Sequence, residues 1–525
     1  GSIIMKKGYG LDGTDTIIAI VDSGFETSHG EFNYKTIDTF GTLIAATSSD
    51  DHGLKVSGIA AARTGNGGVV GVAPGANLHL TDLGSMGTDG YSNEWAHMAA
   101  YTDDASTAVV QNNSWGWQNG DCKGVAGSVK DLKCEAYEID DVKALITQYS
   151  GNTTEEILSW RLGGTTANSS DVTAAITAMN NFQDHGIIVF ALQNDNKRDE
   201  AHFAAALPEI YESLKDAWIT AVNIDIAGTV GNEVYSRRSG KCGSTAKYCL
   251  GADGYGITTT KYNNDYEVDY TFQGNDSNGN PVYFANHGTS WVAPMISGGV
   301  AIMAQAFPNQ TPEMWADRLL ASAKNTWFSH DGSVTFGDGV QHGYSTEYGH
   351  GIMDLYAALQ PIVTSAYSAS MRVMNQSGEI VTIPLKVSYI STSSSFGDAL
   401  IKSLSSKKGN FYDSLDGGFE YDLSSHILLK ETETRPFKLG EEFALLGKDF
   451  KSHNIKLQRG AKNSFTKAED DESFFATIHS SALPVQSFTG ENAPNYLGFH
   501  SDLAPYFNTK NNGVAIGGEV KTGNG

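Results

Sequence analysis

No uninterrupted apolar run in the 525-residue sequence approaches the roughly 20 residues that a membrane-spanning helix requires. The longest runs, such as Thr16-Ile17-Ile18-Ala19-Ile20-Val21, have strand length, so nothing here spans a bilayer as a helix. Basic residues are also scarce: 36 Lys and Arg stand against 60 Asp and Glu, a formal charge of -24. Such a chain lacks the cations that displace counterions from phosphates, which argues against nucleic acid and against an anionic membrane surface as partners. A signal peptide is missing too. The chain begins Gly1-Ser2 and runs almost at once into a core strand, as a processed or trimmed product would.

Cysteine is limited to four residues in two local groups, Cys122 with Cys134 and Cys242 with Cys249. Local pairing is the simplest of three connectivities and makes two short-loop disulfides, which places the protein outside the cytoplasm. Metal binding is the rival reading, but close Cys-x-x-Cys pairs and recurring His partners are absent.

What is present suits a large globular enzyme. Hydrophobic residues make up 40%, enough for sizeable cores, and 525 residues exceed what one core holds, so two or more domains are expected. From Leu11 to about Leu359, apolar strand-like runs alternate with helical stretches, the pattern of an α/β domain with a largely parallel sheet. Residues 16–21, 77–83, 108–112, 186–191 and 217–222 read as strands. Helices are expected over 54–62, 93–105, 170–183, 290–306 and 311–322. After Leu359 the sequence turns to Ser, Thr and alternating polar and apolar residues. The expected organisation is therefore a domain over 1–360, a β-rich linker over 361–435, and a β-rich or partly mobile region over 436–525.

Three segments carry chemistry. Gly288-Thr289-Ser290-Trp291-Val292-Ala293-Pro294 is a small-residue turn leading into an apolar helical run, which puts the Ser290 hydroxyl at a helix N-terminus beside N–H groups that can stabilise an oxyanion. Alone it is weak, since such a serine is often only a helix cap. Ile18-Ala19-Ile20-Val21-Asp22-Ser23-Gly24 ends a buried strand in a carboxylate that can orient an imidazole. Asp51-His52-Gly53-Leu54 opens an apolar helix with a residue whose pKa suits a general base.

Taken together, in the order Asp, His, Ser, these segments resemble the subtilase family of serine proteases. Gly71-Val72-Ala73-Pro74, Gly-Thr-Ser-x-x-Ala-Pro around Ser290 and Tyr348-Gly349-His350-Gly351-Ile352-Met353-Asp354 fit the same pattern. The resemblance implies a subtilisin-like parallel sheet flanked by helices, with a mostly β C-terminal region beyond it. It implies a secreted serine endopeptidase acting on protein or peptide substrates, with Asp22, His52 and Ser290 as triad. Asn194, at the end of the strand Gly186–Leu192, takes the place of the oxyanion donor, with Asn196 as the fallback. Ser114, Trp115 and Gly116 are expected to wall the first specificity pocket, and Tyr91 to touch substrate further along.

The sequence departs from the family pattern in places. The second motif reads His52-Gly53-Leu54-Lys55 where members usually carry a second histidine, and Gln193 replaces a common Gly, so it can narrow or polarise the primary pocket. Catalysis of this type requires no cofactor. Many members hold structural calcium; Glu31 falls at the carboxylate position, but the loop Arg63-Thr64-Gly65-Asn66-Gly67-Gly68 is poor in anionic oxygen. Asn275–Asn280 reads as a hairpin turn rather than a calcium loop. Cys242–Cys249 resembles the short cysteine loop of bacterial autotransporter subtilases, and Gly397–Leu400 with Phe411–Phe419 resembles their linker before an outer-membrane barrel. That implies a bacterial, extracytoplasmic protein, secreted or at the cell surface and anchored through a barrel that this chain does not contain in full.

Rival classes are a catalytically silent binding protein on the same fold, a serine esterase and a Ser-x-x-Lys acylase. The esterase would need Gly-x-Ser-x-Gly, which is absent, and the Ser-x-x-Lys matches at Ser244, Ser405 and Ser464 lie in loop-like sequence.

Overall fold

Strand β1 (Ile17–Asp22) is apolar up to its last residue, with Ile18 to Val21 almost entirely buried. A strand with no polar face must be covered on both sides, which is the condition of a central parallel strand. A computed structural model places it so. The structure describes residues 10–362 apart from 66–67, 117–137, 163–165, 263–264, 269, 276–280 and 286–287. Beyond these it describes 370–374, 380–384, 390–393, 401–404, 408–422, 427–430, 455–457, 465–467, 473–475, 504–508 and 513–520.

The main sheet also contains β2 (Ile37–Phe40), β3 (Asn77–Asp82), β4 (Val110–Asn113), β5 (Ile187–Ala191), β6 (Trp218–Thr229), β7 (Asn232–Arg237) and β8 (Cys249–Ala252). Its order is β2-β3-β1-β4-β5-β6-β7, with β8 also on β6. All pairings are parallel except β6 with β7. From β1 the chain builds toward β3 and β2 on one side and toward β4, β5 and β6 on the other. The crevice at the carboxyl ends of β1 and β4 therefore lies where strand order reverses, the usual ligand position in an open α/β sheet.

Helices α1 (His52–Ala61), α2 (Glu94–Asp104), α3 (Ile139–Gln148), α4 (Thr154–Leu162), α5 (Ser169–Phe182), α6 (Thr289–Ala306) and α7 (Pro312–Ala321) accompany the sheet. The five predicted helices are present with ends shifted by one or two residues; α3 and α4 were not read from the sequence. α6 is buried along nearly its whole length. Arg318 of α7 is fully buried as well, with its guanidinium donating to Ala358 O at 3.1 Å and lying over the Phe307 ring.

By contacts the chain divides into two units, Gly1–Ile362 with Ser414–Gly417, and Val363–Asp413 with Gly418–Gly525. The described parts of the second unit are mostly strands, including the antiparallel pairs Ser370–Met374 with Ile380–Pro384 and Lys408–Tyr412 with Gly418–Asp422. The expected turn at 276–280 lies outside the described residues, between Tyr270–Asn275 and Pro281–Ala285, which pair antiparallel.

Cys242 and Cys249, both fully buried, form the expected disulfide, while Cys122 and Cys134 lie outside the described residues. The bond closes a loop of sequence separation 7, for which chain entropy accounts for about 2–3 kcal/mol. Replacing both cysteines with alanine is expected to lower unfolding stability by about that amount, read from urea denaturation under non-reducing conditions. An unchanged midpoint would show that the loop is held by its packing instead.

Candidate active site

Asp22 arrives at the carboxyl edge of the sheet because β1 ends there, and the turn that follows aims its carboxylate. Gly24 has φ of +74°, and a Cβ on it would stand 2.3 Å from Asp50 O, so no other residue fits this turn. Asp82, fully buried at the end of β3 and in register with Asp22, accepts from the N–H groups of Gly24 and Ile44 at 3.2 Å and Gly84 at 2.8 Å. Burial raises its pKa, with the three N–H donors acting against that. Sequence reading missed Asp82, although a second strand-terminal Asp beside the first was a usable signal.

The same turn receives α1. Gly53 N–H donates to Ser23 O at 2.6 Å and Leu54 N–H to Gly24 O at 3.0 Å, so the first helical turn is tied to the Asp22 loop through N–H groups that have no partner within the helix. That docking sets His52 Nδ1 2.7 Å from Asp22 Oδ1. The carboxylate fixes the tautomer, with the proton on Nδ1 and the lone pair on Nε2. Burial works to lower the His52 pKa, but the charge and hydrogen bond of Asp22 outweigh it, and the pKa is raised above 6.5. The imidazole lies 5.2 Å from the Trp291 ring, centroid to centroid.

Ser290 occupies the first turn of α6, and its surroundings follow from the proline four residues on. Pro294 has no N–H to donate to the Ser290 carbonyl. That carbonyl accepts instead from Ser114 Oγ at 3.1 Å, while the Ser290 hydroxyl donates to Ser114 O at 3.3 Å. This reciprocal pair joins the helix to the end of β4. The Ser290 hydroxyl thus rests on the Ser114 carbonyl.

Asn194 follows β5. Its Oδ1 accepts from Thr289 N–H at 2.8 Å and Thr289 Oγ1 at 3.0 Å. A backbone N–H can meet only the amide oxygen, so Nδ2 is left facing the start of α6 as a donor. Gly288 brings no side chain there; a Cβ on it would lie 3.5 Å from Asn194 Oδ1. Asn196, the fallback, takes part through its carbonyl, which accepts from Arg237.

Asp22, His52, Ser290, Ser114 and Asn194 are therefore gathered at one edge of the sheet. Trp115 turns toward the sheet, its ring edge-on to Phe190 at 5.2 Å and its Nε1 donating to Asn113 Oδ1 at 3.2 Å. Tyr91 packs against Phe40 and His97, with ring centroids 5.9 and 5.1 Å away. The Gln193 side chain is bound to the segment after β5, with Nε2 donating to Glu200 O and Oε1 accepting from His202 N–H at 2.8 Å. Glu31 is fully buried, with Arg63 N–H donating to its carbonyl at 3.1 Å. Among the described residues no group of three or more His, Cys, Asp and Glu side chains is placed to hold a metal ion.

An imidazole paired to a buried carboxylate, a serine at a helix N-terminus and an amide beside it thus stand at one edge of a largely parallel α/β sheet. The family model described as Subtilase family matches residues 13–351. The chain belongs to the subtilase family. It is similar to the extracellular serine protease of Serratia marcescens, 27% identical over 336 residues that cover 60% of this chain and 30% of that protein. Fervidolysin of Fervidobacterium pennivorans is 25% identical over 367 residues, 66% of this chain and 41% of its own length. The crystal structure of fervidolysin, described as a keratinolytic enzyme related to subtilisin, aligns at 21% identity and TM-score 0.42, covering 71% of this chain and 50% of that one. The chain thus spans less than half the length of the curated relatives it matches.

Proposed function

We propose that this chain is a serine endopeptidase that hydrolyses peptide bonds of protein or peptide substrates through an acyl-enzyme. The observation that carries the reading is the 2.7 Å His52–Asp22 pair standing at the same sheet edge as a serine on a helix N-terminus. Membership of the subtilase family supports it.

In this reading His52 Nε2 takes the proton of the Ser290 hydroxyl as its oxygen attacks the scissile carbonyl. Asp22 holds the ring and stabilises the imidazolium that forms. Asn194 Nδ2 and the Ser290 N–H receive the oxyanion, both unmoved by the reaction because Thr289 and the helix hold them. His52 then returns the proton to the leaving amine, and water, deprotonated by the same histidine, releases the acyl group. Asn194→Ala is expected to lower kcat by ~10²–10³, the loss seen for this donor in subtilisin, with little change in KM. A loss confined to KM would assign Asn194 to substrate binding instead.

An extracytoplasmic bacterial setting belongs to the same proposal, supported by the buried disulfide and by the extracellular relative. So does anchoring through an outer-membrane barrel, supported by the autotransporter-like segments before and after residue 400.

The test is incubation of the chain with a serine-directed fluorophosphonate and with an unfolded protein substrate, beside Ser290→Ala. Labelling and cutting by the wild type alone supports the proposal. A wild type that is neither labelled nor able to cut makes the chain a silent member of its fold.

A further inference from the structure

The end of β5 carries a histidine that the mechanism does not use. His202 is 3% exposed, and its Nε2–H donates to Ala191 O at 2.6 Å. Its N–H is held by Gln193 Oε1 at 2.8 Å. On the other side the ring meets Gly116: a Cβ there would stand 2.8 Å from His202 Cε1 and 3.1 Å from Nδ1. The imidazole therefore reaches from the exit of β5 to the exit of β4, two adjacent parallel strands.

On the peptidase reading an acyl group on Ser290 would lie beside those exits, since Ser290 is joined to Ser114 just beyond β4. If Ser114–Gly116 wall the first specificity pocket, as the family resemblance implies, and Asn194 receives the oxyanion, the residue before the scissile bond would sit between the Ser114–Gly116 edge and the Ala191–Asn194 edge. The space its side chain would enter is the space His202 spans. The segment carrying His202 cannot easily withdraw. Gln193 Nε2 donates to Glu200 O, the Glu200 carboxylate accepts from Ser244 N–H at 2.9 Å, and Ser244 lies inside the loop closed by Cys242 and Cys249. Burial holds the His202 pKa near 4, so the ring is neutral at working pH and acts by its shape rather than its charge.

We propose that His202 is the floor of the primary specificity pocket and restricts this enzyme to small residues, such as alanine, before the scissile bond. The inference rests on the peptidase reading above. Gly116 and His202 then form a matched pair, in which the missing side chain on one strand exit accommodates the ring on the other.

The experiment compares two chromogenic tetrapeptides that differ only in alanine or phenylalanine before the cleaved bond, using wild type, His202→Ala and His202→Gln. The reading is the ratio of kcat/KM for the two, which does not depend on how much of a variant is folded. Wild type is expected to favour alanine by at least about tenfold, and His202→Ala to shift the ratio toward phenylalanine by about 10- to 100-fold, the discrimination a pocket's shape supplies. His202→Gln, which keeps bulk and a donor, is expected to stay near wild type. A wild type indifferent to the two residues, or a His202→Ala ratio within about twofold of wild type, overturns the proposal. If neither peptide is cut and Ser290 is not labelled, the peptidase reading fails first; cutting without a changed ratio removes only the role of His202.

Discussion

Ser290→Ala is expected to lower turnover of a peptide substrate by roughly 10⁶-fold, the loss that removing the serine causes in subtilisin, while leaving the fold intact. The physical case for the second half comes from the hydrogen bonds. The hydroxyl's bond to Ser114 O is long, at 3.3 Å, whereas the helix is tied to β4 through the Ser290 carbonyl, which alanine retains. Asn194 is likewise held by Thr289 and not by Ser290. The oxyanion donors therefore survive in the variant, and a residual rate above that of water is expected from them. Measurement requires active-site titration to exclude contaminating protease and thermal unfolding to compare folds. A variant within about tenfold of wild type would move the nucleophile elsewhere.

Asp22→Asn is expected to cost about 10⁴ in kcat, because the amide cannot hold the proton on Nδ1 and leaves Nε2 without its lone pair in place. It also changes the pH profile. Asp22 raises the His52 pKa above 6.5 against the lowering effect of burial. A general base must be neutral, so wild-type kcat/KM rises with pH along a limb whose midpoint lies above 6.5. Removing the carboxylate leaves burial and Lys55 to lower the pKa, with only Asp50 opposing, and the limb moves to lower pH. Stability runs the other way. The folded-state pKa is raised, so the contribution of the protonated pair is fully present below 6.5 and is lost as pH climbs through the folded value. A wild-type limb below 6.5, or one that Asp22→Asn leaves in place, would contradict this account.

Much of the site was legible because its members end regular elements. Asp22 closes an apolar strand, and His52 and Ser290 open apolar helices, so each is marked by the change in pattern beside it. Asn194 and Ser114 follow strands in the same way. Asp82, Glu200 and His202 were not legible as neighbours of the candidate site, because their contacts run across the sheet edge to Gly24, Ser244 and Gly116. Gln193 was singled out as a pocket residue, but only the structure turned its side chain toward residues 200–202.

The sequence by itself determined the order of five central strands and five helices, the family, and the identities of the groups proposed to form an acyl-transfer site. Those follow from local periodicity and from residues whose chemistry has few substitutes. The tertiary structure alone decided that Ser290 rests on the Ser114 carbonyl, which Pro294 bears on by leaving the Ser290 carbonyl free for Ser114. It alone decided, too, that the His202 ring reaches from Ala191 at the exit of β5 to Gly116 beyond the exit of β4. These are meetings of residues 176 and 86 positions apart in the chain, and packing rather than local pattern brings such residues together.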